Sequence, residues 1–243
     1  MDIDQHIYCS KCMLEMPEEG ICPHCGYDQQ EENNPSVLDR GTLLNSRYQL
    51  GTVIGRGGFG ITYTGWDEIL GAPVAVKEYF PMDFCTRNTD LSDEVISLES
   101  KTAVYLDGLR RFQRESHLLA ELQGVPNIVK VMDFFSENGT AYIVMEYVRG
   151  VPVDQWAEEK KLSAQEILTL MRPVMDSLVQ THQQGVIHRD LTPANILISE
   201  DGSPKLIDFG SAADMERSAG TVVLTRKYAA VEQYGSEHGA QGP

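Results

Sequence analysis

The chain has 243 residues, and its 20 lysines and arginines stand against 36 aspartates and glutamates, a formal charge of −16 at pH 7. Nucleic acid is gripped through its phosphates by clusters of Lys and Arg, so this balance excludes a general nucleic-acid binder. No apolar run reaches membrane-spanning length, and Met1-Asp2-Ile3-Asp4 lacks the basic-then-apolar layout of a signal peptide, so no membrane segment is expected here and the stretch reads as cytoplasmic.

In chain order, the cysteines come first. There are five, and four of them form the pairs Cys9-Ser10-Lys11-Cys12 and Cys22-Pro23-His24-Cys25. Each C-x-x-C lets two thiolates hold one ion from a tight turn. Two such pairs complete a tetrahedral site with no position left for water, so Cys9, Cys12, Cys22 and Cys25 are expected to bind a structural zinc ion. A module of about thirty residues cannot build a core, and metal binding would supply most of its folding energy. A pair of redox dithiols is the competing reading. Residues 1–28 resemble the zinc ribbons found at the ends of many bacterial multidomain proteins, which makes this module a candidate surface for a protein partner. Residues 29–46 begin Gln-Gln-Glu-Glu-Asn-Asn-Pro-Ser and read as a linker. Cys85 is left over, with no role assigned.

From residue 47 the pattern turns to strands: Tyr48-Gln49-Leu50, Val53-Ile54, a glycine cluster, Ile61-Thr62-Tyr63-Thr64, a Gly71-Ala72-Pro73 turn and Val74-Ala75-Val76-Lys77. Between Arg110 and Gln123 the apolar Phe112, Leu118, Leu119 and Leu122 share one helical face. Segments 129–135 and 141–147 flank the turn Glu137-Asn138-Gly139 as a hairpin. A long amphipathic helix then opens on the capping box Ser163 to Glu166 and runs towards Gly185, with a kink or a loosened turn expected at Pro173.

Three groups of residues carry chemistry. Gly55-Arg56-Gly57-Gly58-Phe59-Gly60 matches G-x-G-x-x-G, a weak signal alone because dinucleotide-binding folds share it. Here the glycines lie between two strands with no helix following, so Gly55, Gly57, Gly58 and Gly60 would cover phosphates as a hairpin lid whose backbone N–H groups approach closely. Val74-Ala75-Val76-Lys77, which closes the third strand, resembles the V-A-I-K of protein kinases, and the resemblance implies that Lys77 neutralises phosphate charge and needs a carboxylate to hold it. Glu115 is the best placed, with Glu121 competing. The third group is His188-Arg189-Asp190-Leu191-Thr192-Pro193-Ala194-Asn195, followed by Ile196-Leu197-Ile198 and Asp208-Phe209-Gly210. It supplies two carboxylates and an amide in series, the oxygen ligands needed to orient a hydroxyl and to hold divalent cations beside phosphates.

In this order and spacing the motifs resemble those of bacterial eukaryotic-like serine/threonine protein kinases, and the resemblance extends from Tyr48 to Gln233. It implies an α+β, two-lobed protein-kinase-like fold, with a β-rich N-lobe over about 47–148 and a helical C-lobe over about 149–243. ATP and Mg²⁺ (or Mn²⁺) are the implied cofactors and protein Ser/Thr hydroxyls the substrates. Asp190 would be the catalytic base, and Asn195 and Asp208 would hold Mg²⁺. Thr62, Ala75, Met145, Leu197 and the backbone of Glu146 and Val148 would line the adenine site.

Several positions depart from the family pattern. Many kinases acting on Ser or Thr carry Lys where this chain has Thr192, which removes a cation near the γ-phosphate. Ala229-Ala230-Val231-Glu232 stands in place of Ala-Pro-Glu, and the gap from Lys77 to Glu115 is long. Thr225 matches the threonine placed by the acceptor site, while Ser218 or Thr221 is the expected autophosphorylation site, its phosphate read by Arg189. The pattern stops at Pro243 before the last helices of the large lobe. A truncated domain with exposed apolar surface and low activity is therefore expected, and a membrane anchor beyond residue 243 is left open. A pseudokinase or ATP-binding scaffold that recruits partners through its ribbon is the alternative function.

Overall fold

A six-stranded antiparallel sheet is the largest element of the computed structural model, which describes residues 7–17, 20–30, 36–58, 60–88, 93–209, 213–214 and 228. The chain divides into two units, Met1–Gln113 with Val131–Tyr147, and Arg114–Lys130 with Val148–Pro243.

In the first unit a small hairpin of β1 (Ile7–Tyr8) and β2 (Glu15–Met16) carries the first cysteine pair. The large sheet is built from β3 (Leu43–Leu44), β4 (Tyr48–Gly57), β5 (Gly60–Asp67), β6 (Ala72–Tyr79), β9 (Val131–Glu137) and β10 (Thr140–Glu146), in the order β3-β4-β5-β6-β10-β9. Strand β6 is central, and Val74, Val76 and Tyr79 are buried with Ile61, Tyr63, Tyr142, Ile143 and Val144 of its neighbours. The hairpin expected at Asn138-Gly139 is present. Both residues have positive φ, 50° and 69°, the conformation that lets a two-residue turn follow the twist of its strands.

Residues 36–46, assigned by composition to the linker, differ from that expectation. Val37 and Leu38 are buried, the Leu38 N–H lies 3.3 Å from the Tyr63 hydroxyl, and β3 pairs with the start of β4. Two apolar residues among polar neighbours suffice to seat the segment, which composition alone does not show. The long gap after Lys77 also folds. It forms the hairpin of β7 (Cys85–Arg87) and β8 (Val95–Ser97), and Val95 N–H donates to the Asn138 carbonyl at the β9–β10 turn.

Helix α1 (Thr102–Glu121) begins two turns earlier than its apolar pattern indicates. Of those added turns only Tyr105 is buried, so the stripe is thin there. In the second unit α2 (Val153–Lys160) and α3 (Ala164–Gln183) accompany a sheet of β11 (Gly150–Pro152), β13 (Ile196–Ser199) and β14 (Pro204–Leu206). Strand β12 (Val186–Ile187) pairs with β15 (Ala213–Asp214). The capping box of α3 is formed in both directions, and the helix continues through Pro173. Leu168, Met175 and Val179 lie exposed along α3. No helix among the described residues is long and apolar enough to cross a membrane.

Candidate functional site

The four paired cysteines converge. Their sulfur atoms all lie within 4.8 Å of one another, with Cys9 Sγ 3.6 Å from Cys25 Sγ and Cys12 Sγ 3.7 Å from Cys22 Sγ. A tetrahedron with metal–sulfur bonds of about 2.3 Å has edges of about 3.8 Å, close to these two distances, so the cluster is compatible with a four-thiolate metal site. Each knuckle is closed by the same backbone bond, Met13 N–H to the Cys9 carbonyl at 2.8 Å and Gly26 N–H to the Cys22 carbonyl at 2.9 Å. The residues after each turn, Met13 and Gly26, have φ of 55° and 70°. His24 turns away from the sulfurs and its Nε2 lies 3.2 Å from the Glu15 carbonyl.

In the first unit the glycine run is the tip of the β4–β5 hairpin. Gly57 pairs with Gly60, and Gly55 pairs with Thr62. An added Cβ at Gly57 or Gly58 would meet no atom, whereas at Gly60 it would lie 2.2 Å from the Glu78 carbonyl. The first two glycines thus leave the approach to the loop open, and Gly60 is required for packing on β6. The pairing register sets Thr62 beside Lys77 and Ala75 beside Met145. Lys77 is largely buried, its Nζ 5.9 Å from the centre of the Phe112 ring on α1. Ala75 and Met145 are buried and Glu146 is half-buried at the end of β10.

On the opposite face of β6, Glu78 is fully buried. Its two oxygens accept from Arg87 Nη2 at 2.8 Å each, from the Tyr63 hydroxyl at 2.9 Å and from the Tyr142 hydroxyl at 2.9 Å. Burial first, then the Glu78 charge, pushes both tyrosine pKa values well above the usual range, so both remain hydrogen-bond donors. This cluster was absent from the sequence reading. Its only signal is a charged residue inside an apolar strand, which is seldom buried without a partner.

In the second unit the His188 to Asn195 stretch follows β12. Asn195 Nδ2 donates to the Asp190 carbonyl at 2.8 Å and lies 3.5 Å from Asp190 Oδ2. The Ile207 N–H donates to the Asn195 carbonyl at 2.8 Å, which brings Asp208 next to the same turn. Arg189 and Asp208 both have positive φ, 65° and 59°, a strained backbone of the kind that clusters at active sites. His188 and Phe209 are buried against each other, ring centres 4.5 Å apart, and tie the Asp190 loop to the Asp208 segment. Burial pulls the Arg189 guanidinium below its usual pKa. Thr192 is buried and its carbonyl accepts from the Asn195 N–H at 3.0 Å. Leu197 lies on β13 and Val148 precedes β11, both half-buried. Glu115 is buried on α1, whereas Glu121 is exposed. The expectations for Phe59, Gly210, Ser218, Thr221, Thr225, Val231 and Glu232 fall outside the described residues.

The two halves therefore present, separately, a glycine hairpin beside a buried lysine and a loop in which Asn195 bonds the Asp190 backbone and the residue before Asp208. Comparison with known proteins identifies the family. The chain is 37% identical over 210 residues to a probable serine/threonine-protein kinase PknB of Bifidobacterium longum, covering 82% of this chain and 28% of that protein. It is 32% identical over 203 residues to the serine/threonine-protein kinase PrkC of Bacillus subtilis, covering 83% and 28%. The chain thus spans little more than a quarter of these relatives' length. A solved structure described as PpkA-294 apo form superposes with a TM-score of 0.66 at 34% identity, covering 72% of this chain and 62% of that one. The family described as protein kinase domain matches residues 48–241. With that match spanning most of the sequence, the chain adopts the protein kinase fold and belongs to the protein kinase domain family.

Proposed function

We propose that this chain is the phosphoryl-transferring part of a bacterial serine/threonine protein kinase, moving the γ-phosphoryl group of ATP to protein Ser or Thr hydroxyls in cytoplasmic signalling. The observation that carries the reading is the Asp190–Asn195–Asp208 turn, in which the Asn195 amide donates to the Asp190 backbone carbonyl and the Asn195 carbonyl accepts from Ile207 N–H, the residue before Asp208.

In this reading Asp190 orients and accepts the proton of the attacking hydroxyl, and the backbone bond to Asn195 fixes its loop. Asn195 and Asp208 would hold Mg²⁺ or Mn²⁺, which neutralises phosphate charge when bound. Lys77 takes the α and β phosphates. Glu115 is assigned as its carboxylate partner, as the resemblance to protein kinases implies. Thr62, Ala75, Met145, Leu197 and the backbone of Glu146 and Val148 receive adenine, under the lid of Gly55, Gly57, Gly58 and Gly60. The cysteine module takes zinc as a structural ion and is a candidate surface for a protein partner. Autophosphorylation at Ser218 or Thr221 would be read by Arg189, which lies next to Asp190 in sequence and is therefore placed to pass on the loop's state.

The test is transfer from labelled ATP to a protein acceptor, compared with Asp190→Asn. Loss of about 10²-fold or more in rate is expected from removal of a general base. Equal incorporation by the two proteins would reject the assignment.

A further inference from the structure

We propose that the first cysteine knuckle is a fixed support of the glycine-rich hairpin, so that metal held by the four thiolates sets how tightly this chain binds nucleotide. The inference rests on the nucleotide reading above.

The argument begins with an irregularity in β4. Its pairing with β5 loses register between Leu50 and Val53 and again between Val53 and Gly55. A bulge of this kind leaves backbone groups out of the ladder and re-aims the strand, a device found beside active sites. At this one the Thr52 N–H donates to the Ser10 carbonyl at 2.8 Å and to Thr64 Oγ1 at 2.9 Å. The Thr64 hydroxyl, fully buried, donates in turn to the same Ser10 carbonyl. Thus a backbone oxygen from between Cys9 and Cys12 completes the hydrogen bonding of the strand that enters the glycine lid at Gly55.

The fit around that oxygen is close. A Cβ on Gly51 would lie 2.2 Å from the Ser10 carbonyl oxygen and 2.4 Å from Met13 Cε, so only glycine allows the knuckle to seat. On one side Tyr8 stacks on Trp66 of β5, ring centres 3.9 Å apart and planes 24° apart. On the other, the Tyr147 hydroxyl, next to the proposed adenine-binding backbone of Glu146, lies 3.5 Å from the Lys11 carbonyl. The knuckle therefore touches the base of the lid and the end of β10 within a few residues of its own chain.

The position of the Ser10 carbonyl depends on the Cys9–Cys12 turn. That turn is held by the Met13 to Cys9 backbone bond and by the Lys11 N–H lying 3.4 Å from Cys9 Sγ, both of which belong to a knuckle that folds with its metal. Release of the metal frees the turn, and the Thr52 N–H and the buried Thr64 hydroxyl lose their shared acceptor. The β4 bulge relaxes, and the glycine lid loses the register that aims its N–H groups. Ser10 is thus a positioning residue that acts through its backbone.

The test measures the dissociation constant of a fluorescent ATP analogue with Mg²⁺ for the zinc-loaded chain, the chelator-stripped chain, Gly51→Ala, Thr64→Val and Thr64→Ser. Trp66 emission in a Trp156→Phe background reports the Tyr8 stack. Weakening of about five- to tenfold is expected for the stripped chain, Gly51→Ala and Thr64→Val, the scale of one or two lost buried hydrogen bonds. Thr64→Ser, which keeps the hydroxyl, is expected to bind like wild type, and both variants that weaken binding should retain one zinc per chain. Unchanged nucleotide affinity in the stripped chain and in Thr64→Val would overturn the inference, as would Trp66 emission insensitive to metal removal. Failure of the zinc-loaded wild type to bind the analogue would overturn the nucleotide reading itself, and is seen before any variant is compared.

Discussion

Glu78 and Arg87 show at single-residue scale how the strand carrying Lys77 is held. Their side chains are 0% and 3% exposed, and every carboxylate bond of Glu78 reaches a residue from another strand. A buried pair adds little stability over an apolar substitute, but removal of one partner strands a charge at a cost of about 3–5 kcal/mol. Arg87→Met is therefore expected to lower unfolding stability by about that amount in urea, and the double variant Glu78→Gln/Arg87→Met to recover part of it. A single variant as stable as wild type would contradict the arrangement. Asp67 is the second case. Hydrogen bonds from Arg47 Nε at 2.9 Å and Nη2 at 2.7 Å hold its carboxyl below the ordinary range against the opposing effect of burial, and the Leu70 and Ile69 N–H groups add to the lowering. A folded pKa below the unfolded one gives stability that is complete above about pH 4 and lost as pH falls through the folded value. The stability gap between wild type and Arg47→Met should accordingly be widest near neutrality and close on acidification. A gap constant from about pH 6 to about pH 3, followed by circular dichroism, would remove Arg47 as the cause.

At the scale of elements, local chemistry decides what could be read in advance. The capping box of α3 was legible because Ser163 and Glu166 act on their own turn, with Ser163 N–H to Glu166 Oε2 at 2.8 Å. Ser163→Ala should cost about 1 kcal/mol in thermal or urea unfolding, and an undiminished stability would show that tertiary packing alone fixes the helix start. The glycine hairpin and the Lys77 strand were legible in the same way, as short runs whose residue types suit one backbone course, whereas the Asp190 to Asp208 series was read from its resemblance to protein kinases. Three features were not. Strands β7 and β8 span Cys85–Arg87 and Val95–Ser97, too short to display a period of two. The first turns of α1 bury Tyr105 alone of their apolar residues, so periodicity starts late. The seat of the knuckle on β4 is made by the Ser10 carbonyl, and a backbone oxygen has no letter in the sequence. Gly51 inside a strand was its trace, because glycine there marks a bulge or a close backbone approach.

At the scale of the whole molecule, the cysteine module and the large sheet fall within one unit, and this has a thermodynamic consequence. Among the described residues the module's own buried cluster is Cys9, Met16 and Cys22, with Cys12 and Tyr27 packed against it, a small core for an independent fold. Through the Ser10 carbonyl, the Tyr8–Trp66 stack and the Arg40 to Tyr27 hydrogen bond at 2.9 Å, the module is also joined to segments that pair with the sheet. A ligand that binds only the folded form stabilises whatever unfolds together with its site, by about 2.7 kcal/mol at one hundred times its dissociation constant. If module and sheet unfold together, the melting transition reported by Trp66 must rise by several degrees as free Zn²⁺ is raised from a chelated baseline. In Thr64→Val, where the shared acceptor loses one of its donors, the same titration should move that transition less, although the four thiolates still take up zinc. A Trp66 transition that ignores zinc while the thiolates are saturated would mean that the module unfolds independently. The metal would then stabilise a tethered appendage and not the lobe that carries Lys77.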